Sequence, residues 1–258
     1  MTATAIYPSL KGRVVVITGA GQGLGRCYAQ HFAAQGAIPV IAEYDADRAL
    51  AVQKEIKADG GTALAIRTDV SDPASVASMA EQTLAAFGRI DVLINNAALF
   101  QKITLGPFWE LPLDEWRRAM DVNITGAFLC SRAVVPAMQK ARWGRIINLS
   151  SSTVASGRVN YLHYITSKSA MVGMSRAMAR ELGQWNITVN AYLPGLTKTE
   201  IDRPSAQGDV FVRAMREQSI QRLAEMSDHA STLLFLCSDD AGFISGQCHL
   251  VDGGRNFI

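Results

Sequence analysis

Seven short, unbroken apolar runs recur along the 258 residues, separated by stretches of helical periodicity. They span residues 13–18, 37–43, 63–68, 90–95, 145–150, 187–192 and 247–251. A strand with one wet face alternates apolar and polar residues, whereas a strand covered on both faces has no such need. Runs such as Val14-Val15-Val16-Ile17 therefore predict parallel strands buried on both sides. Parallel neighbours need crossover connections, and the intervening helical segments supply them. The signals at the helix ends agree. Gly36 is placed to end the first helix, and Ser71-Asp72-Pro73 offers a cap and a first-turn proline. The pattern predicts an α/β fold: one domain over residues 1–258 with a doubly wound parallel sheet of about seven strands. Ligands of such sheets bind at the carboxyl ends of the strands, where the strand order reverses.

The turn after the first strand reads Thr18-Gly19-Ala20-Gly21-Gln22-Gly23-Leu24-Gly25. Glycines allow a tight turn and close approach of a phosphate, and the helix that follows favours negative charge at its N-terminus. The spacing is not G-x-G-x-x-G, since Leu24 and Arg26 interrupt it; it is T-G-x-x-x-G-x-G through Gly19, Gly23 and Gly25. Glu43 closes the second strand. A carboxylate there can accept both hydroxyls of an adenosine ribose and would repel a 2′-phosphate.

Tyr164-Ile165-Thr166-Ser167-Lys168 places a phenol and an amine four positions apart, on one face of a helix. A buried ammonium beside a phenol draws the phenol's pKa below its free value of about 10, which suits proton transfer near neutral pH. Ser151 lies upstream at the end of an apolar run, flanked by Ser150 and Ser152.

Composition excludes several classes. A net charge of +2 with no basic run offers nothing to nucleic acid or to an anionic membrane. No apolar stretch reaches the roughly 18 residues that span a bilayer. Met1 to Leu10 lacks the basic and apolar segments of a signal peptide, so a cytoplasmic location is expected. Cys27, Cys130, Cys237 and Cys248 show no C-x-x-C spacing and read as reduced thiols. His31, His163, His229 and His249 show no metal-ligand spacing, so no metal is expected.

Together these motifs resemble the short-chain dehydrogenase/reductase family, over about residues Lys11 to Gly254. Further matches follow in the family's order: Asp69-Val70, Asn95-Asn96-Ala97-Ala98, Asn123, Pro194-Gly195, Thr199 and Val251-Asp252-Gly253-Gly254. Ala98 replaces the family's usual glycine. The resemblance implies a Rossmann-like fold and a hydride transfer between NAD(H) and a secondary alcohol or ketone. It makes Tyr164 the general acid/base and Ser151 the holder of the substrate oxygen. Lys168 becomes the ribose ligand that stabilises the phenolate, and Asn123 helps hold a water and the lysine. Cofactor contacts are expected from Gly19, Gln22, Gly23, Leu24, Gly25, Glu43, Asp69, Val70, Asn96, Ala97, Pro194, Gly195, Thr197 and Thr199, besides Tyr164 and Lys168. Gln22 stands where NADP users of the family often carry Arg or Lys, so NAD is the expected cofactor.

Leu99, Phe100, Thr153, Tyr161, Leu193 and Leu196 flank this chemistry. A lid at about 196–223 adds Phe211 and Met215. The expected substrate is apolar, ring-bearing or of medium size. Lys102, Arg158, Lys198 and Arg203 are open to two roles, anchoring a carboxylate or facing water. The segment after Tyr164 is apolar nearly all round, Ala170-Met171-Val172-Gly173-Met174 and Ala177-Met178-Ala179, which calls for burial on two sides. A homo-oligomer follows, a tetramer by the resemblance. Two other classes compete with this one. One is a catalytically idle NAD-binding sensor or scaffold, against which the intact Asn123, Ser151, Tyr164 and Lys168 speak. The other is a sugar-nucleotide epimerase or dehydratase, for which too little chain follows Pro194.

Overall fold

The apolar runs become seven parallel strands: β1 (Val14–Thr18), β2 (Ile38–Glu43), β3 (Leu64–Arg67), β4 (Val92–Asn95), β5 (Gly144–Leu149), β6 (Ile187–Pro194) and β7 (Cys248–Val251). The computed structural model describes residues 5–101, 103–201 and 208–258. The strand order is β3-β2-β1-β4-β5-β6-β7, so the order in which strands are added to the sheet reverses between β1 and β4. Every residue of β1, β4 and β5 is buried, which is why these runs carry no polar alternation.

Successive side chains of each strand leave by opposite faces. Val15, Ile17, Ile41, Ile94, Ile147 and Tyr192 pack beneath α1 (Gly23–Ala34), α2 (Ala46–Ala58) and α9 (Met226–Cys237). Val14, Val16, Val40, Leu93, Ile146 and Val189 pack beneath α3 (Pro73–Phe87), α5 (Gly126–Ala141) and α7 (Leu162–Leu182). The caps follow the sequence: Asp45 accepts from the amides of Asp47 and Arg48, and Asp72 accepts from Ala74 and Ser75.

A buried polar chain sets the position of α7 on the sheet. Asn95 donates to Asn148 Oδ1 at 2.8 Å, and Asn148 donates to Ser175 Oγ at 2.9 Å. Satisfying these groups away from water admits one register of strand against helix. The same helix carries Tyr164 and Lys168, so the network also places the candidate chemistry. Three shorter helices complete the frame: α4 (Leu113–Met120), α6 (Thr153–Ser156) and α8 (Val210–Glu217). A π-helical turn, Asp121–Thr125, joins α4 to α5.

Candidate active site

A cleft of about 1000 Å³ opens over the carboxyl ends of the strands. The glycine turn forms one wall. Gly19 has φ +63°, and a Cβ there would stand 2.8 Å from Ala97 Cα. A Cβ on Gly25 would meet Asn96 Nδ2 at 2.7 Å. Thr18 joins this turn to β4, its hydroxyl accepting the amides of Asn96 and Ala97, each at 3.0 Å. The Asn96 side-chain amide donates to Thr18 O at 2.9 Å and Gly19 O at 3.0 Å. Asn96 therefore shapes the cradle through its side chain. Ala98 has an ordinary negative φ, so an alanine serves there without strain.

Glu43 lies at the adenosine end of the cleft. Its carboxylate accepts the amide of Gly21 at 2.9 Å and that of Asp45 at 3.2 Å. Asp69 and Val70 line the same end. The Asp69 carboxylate holds its own turn, accepting Ser71 N at 3.0 Å and Ser71 Oγ at 2.6 Å.

The donors at the start of α1 already carry an anion. The Gly23 amide donates to Glu200 Oε1 at 2.8 Å, and Arg26 stands 3.9 Å from the same oxygen. A helix N-terminus that takes a carboxylate this way can take a phosphate. With the room that only glycine leaves at positions 19 and 25, the cradle fits a dinucleotide pyrophosphate.

Ser151, Tyr164 and Lys168 line the other half of the cleft. Lys168 is 3% exposed, and burial pulls its ammonium down to about 8. Its Nζ donates to Leu149 O at 2.8 Å and lies 5.8 Å from the Tyr164 ring centre. The Ser151 hydroxyl accepts from Thr153 N at 3.2 Å and meets Thr153 Oγ1 at 2.9 Å. Ser150, by contrast, donates to the backbone carbonyl of Lys168 at 2.7 Å, and Ser152 donates its amide to Pro194 O. The three serines thus differ in what they face, which their adjacency in sequence conceals. Tyr161 stacks on Tyr164 with ring centres 4.7 Å apart, and Arg158 lies over the outer face of Tyr161 at 5.2 Å.

Asn123 sits in the π-helical turn, outside the cleft lining. Its Oδ1 accepts Leu99 N at 2.6 Å and its Nδ2 donates to Ser167 Oγ at 2.9 Å. It thus ties the cleft wall at Leu99 to the residue beside the lysine. The widened turn is what brings this side chain out of the helical ladder.

Of the remaining expectations, Gln22, Leu24, Ala97, Pro194, Gly195, Thr197 and Thr199 line the cleft, as do Leu99, Phe100, Thr153, Tyr161 and Leu196. Three expected pocket residues fall elsewhere. Leu193 is 2% exposed inside β6, and Phe211 and Met215 lie outside the lining. On α8 the face turned to the cleft is Val210, Arg213 and Glu217, at helical spacing, and Phe211 is about 100° off it. The wall is therefore more polar than the apolar content of this helix implied. Lys102, Arg203 and the lid residues 202–207 lie outside the described residues.

A family model described as enoyl-(acyl carrier protein) reductase matches residues 19–256. The chain belongs to the short-chain dehydrogenase/reductase family. This short-chain dehydrogenase/reductase is 39% identical over 250 residues to (2S)-[(R)-hydroxy(phenyl)methyl]succinyl-CoA dehydrogenase subunit BbsD of Thauera aromatica, covering 96% of this chain and 98% of that one. A solved 7α-hydroxysteroid dehydrogenase, complexed with NADH and 7-oxo glycochenodeoxycholic acid, is 34% identical with a TM-score of 0.90 and 96% coverage of each chain. A blue fluorescent protein from a metagenomic library, solved with NADPH, is 33% identical with a TM-score of 0.85, over 96% of this chain and 99% of that one. The chain is a hydride-transferring oxidoreductase acting on CH–OH groups.

Several lining residues of this short-chain dehydrogenase/reductase carry no obvious signal in the sequence, among them Val159, Ile201, Arg213 and Arg255. Arg255 had one available clue. Asp252 accepts the amides of Gly254 and Arg255, each at 3.1 Å, in the Asx turn that its V-D-G-G setting favours. That turn bends Arg255 back to the cleft, where its Nε donates to Glu217 at 2.7 Å.

Proposed function

We propose that the protein is an NAD-dependent dehydrogenase or ketone reductase of ring-bearing or medium-sized secondary alcohols. The observation that carries this reading is one cleft shared by the glycine cradle, Glu43 at one end, and Ser151, Tyr164 and Lys168 at the other. Bound NAD supplies the hydride acceptor; the protein supplies orientation and proton transfer. Tyr164 takes the alcohol proton on its phenolic oxygen, and Ser151 holds the substrate oxygen through its hydroxyl. The Lys168 ammonium, fixed on Leu149 O, favours the phenolate and reaches the ribose on that side. Asn123 acts on this group through Leu99 and Ser167.

Glu43 favours NAD over NADP. Like charges about 5 Å apart at an effective dielectric constant near 20 repel by about 3 kcal/mol. The nearby Arg48 is paired with Asp45 at 3.3 Å. A comparison of kcat/KM for the two cofactors tests this; equal values or a preference for NADP overturn it.

Leu99, Phe100, Tyr161 and Leu196 offer apolar surface to a ring. Relatives named for a phenyl-bearing and a steroid substrate support the same class. Arg158, Arg213 and Arg255 also line the cleft, so hydroxy acids belong in the test. NAD reduction against a panel of secondary alcohols, with and without rings and carboxylates, should show turnover with ring-bearing members. Turnover confined to members without rings would overturn the substrate class.

The assembly is a homotetramer in the cytoplasm on this reading. Phe128 on α5 and Leu162 on α7 are exposed apolar residues at 49% and 41%, suited to a second subunit. Light scattering at micromolar concentration checks it, and a monomer contradicts it.

A further inference from the structure

His229 is fully buried on α9, outside the cleft, with both ring nitrogens engaged. Its Nδ1 meets Tyr192 Oη at 2.8 Å, and its Nε2 meets Thr197 Oγ1 at 2.7 Å. Thr197 Oγ1 also donates to Gly195 O at 3.0 Å. A hydroxyl has one proton to give, so this arrangement leaves Thr197 to accept from Nε2–H. Nδ1 then carries the lone pair and accepts the Tyr192 hydroxyl. The result is a directed chain from β6 through α9 to the segment that follows β6. Burial holds the imidazole neutral, down to about 4, as a one-donor, one-acceptor link requires.

The segment so held is Gly195–Thr199, of which Gly195, Leu196, Thr197 and Thr199 line the cleft. It has backbone supports at its start and middle: Gly195 N donates to Val251 O at 2.8 Å, and Thr197 pairs with Ala224 in an isolated parallel bridge. His229 supplies the side-chain support at Thr197, where the chain turns from the strand toward the lid. Among the described residues, the glycine cradle and Glu43 share no hydrogen bond with Tyr192, His229 or Thr197; the cradle meets this stretch of chain beyond the held segment, where the Gly23 amide donates to Glu200.

We propose that His229 is a positioning residue that fixes Gly195–Thr199 against the nicotinamide half of a bound dinucleotide. The inference rests on the dinucleotide reading of the cleft and goes beyond it by separating the two halves. It is tested with two probes, NADH and ADP-ribose, which share the adenosine and pyrophosphate but differ in the nicotinamide. Binding of each is measured by titration calorimetry on the full-length protein. His229→Leu should weaken NADH about five- to tenfold, the loss of one to two buried hydrogen bonds, and leave ADP-ribose within about twofold. His229→Gln keeps one donor and one acceptor and should restore NADH binding to within about threefold. Tyr192→Phe removes the hydroxyl that Nδ1 accepts, at the end of the link away from the cleft, and should give a smaller NADH-selective loss, which decides the matter if His229→Leu does not fold. Equal loss for both probes would mean that His229 merely holds the fold together and would overturn the proposal. So would unchanged NADH binding in His229→Leu and Tyr192→Phe. Wild-type protein that binds neither probe would overturn the cofactor reading itself, and this inference with it.

Discussion

Single atoms separate residues that look alike in sequence. Tyr164→Phe keeps the ring stacked on Tyr161 and removes only the hydroxyl. Turnover should fall at least about a hundredfold while NADH affinity stays within a few-fold, read by steady-state kinetics and by titration. Substantial residual activity would move the acid/base role, with Tyr161 the next candidate. Ser151→Ala should also cost most of the activity. Ser150→Ala removes a bond to a helix carbonyl and should cost about 1 kcal/mol of stability, with a milder kinetic effect. Thr18, Gly19, Gly25 and the Tyr164–Lys168 pair were legible because backbone sterics and helical spacing allow few alternatives at such positions. The path of Asn123 to Ser167 was not, because it depends on a π-helical turn that no local pattern announces.

At the scale of elements, all seven strands appear within two residues of the expected boundaries, because burial on both faces leaves an unbroken apolar signature. The expected lid, 196–223, contains described residues that are tied to the rest of the fold. Thr197 is bridged to Ala224, and Gln218 Nε2 donates to Ile220 O at 3.0 Å and Arg222 O at 2.9 Å. Ile220 N donates to Gly253 O at 2.9 Å. Such long-range ties cannot be seen in a run of polar residues. Any ordering by ligand should therefore show on α8 and spare these anchors. Hydrogen exchange at saturating NADH and substrate analogue should show added protection on α8 and little change at 218–224. Equal protection of α8 with and without ligand would leave a static surface helix.

For the whole molecule, buried basic groups tie stability to pH. Burial depresses His229 to about 4, below its ordinary value of about 6.5, so the unfolded chain binds more protons between these values. The stabilisation is complete above pH 6.5 and is lost as pH falls through 4. Urea unfolding at pH 7 and pH 5 should differ by roughly 2 kcal/mol from this group alone, and His229→Leu should shrink the difference, leaving the part due to His163 and His249, which burial also lowers. The sheet order has a consequence in biosynthesis. The adenosine end is built from β1, β2 and the turn at Asp69, all made early, whereas Gly195 leans on Asp252 and Arg255 closes the cleft beside α8. A ribosome-bound chain can thus form a perch for adenosine long before it can grip a whole dinucleotide. Cofactor can act as a folding template only once Val251 and the residues after it have emerged, so arrest before Val251 should leave a nascent chain that free NAD does not protect from proteolysis.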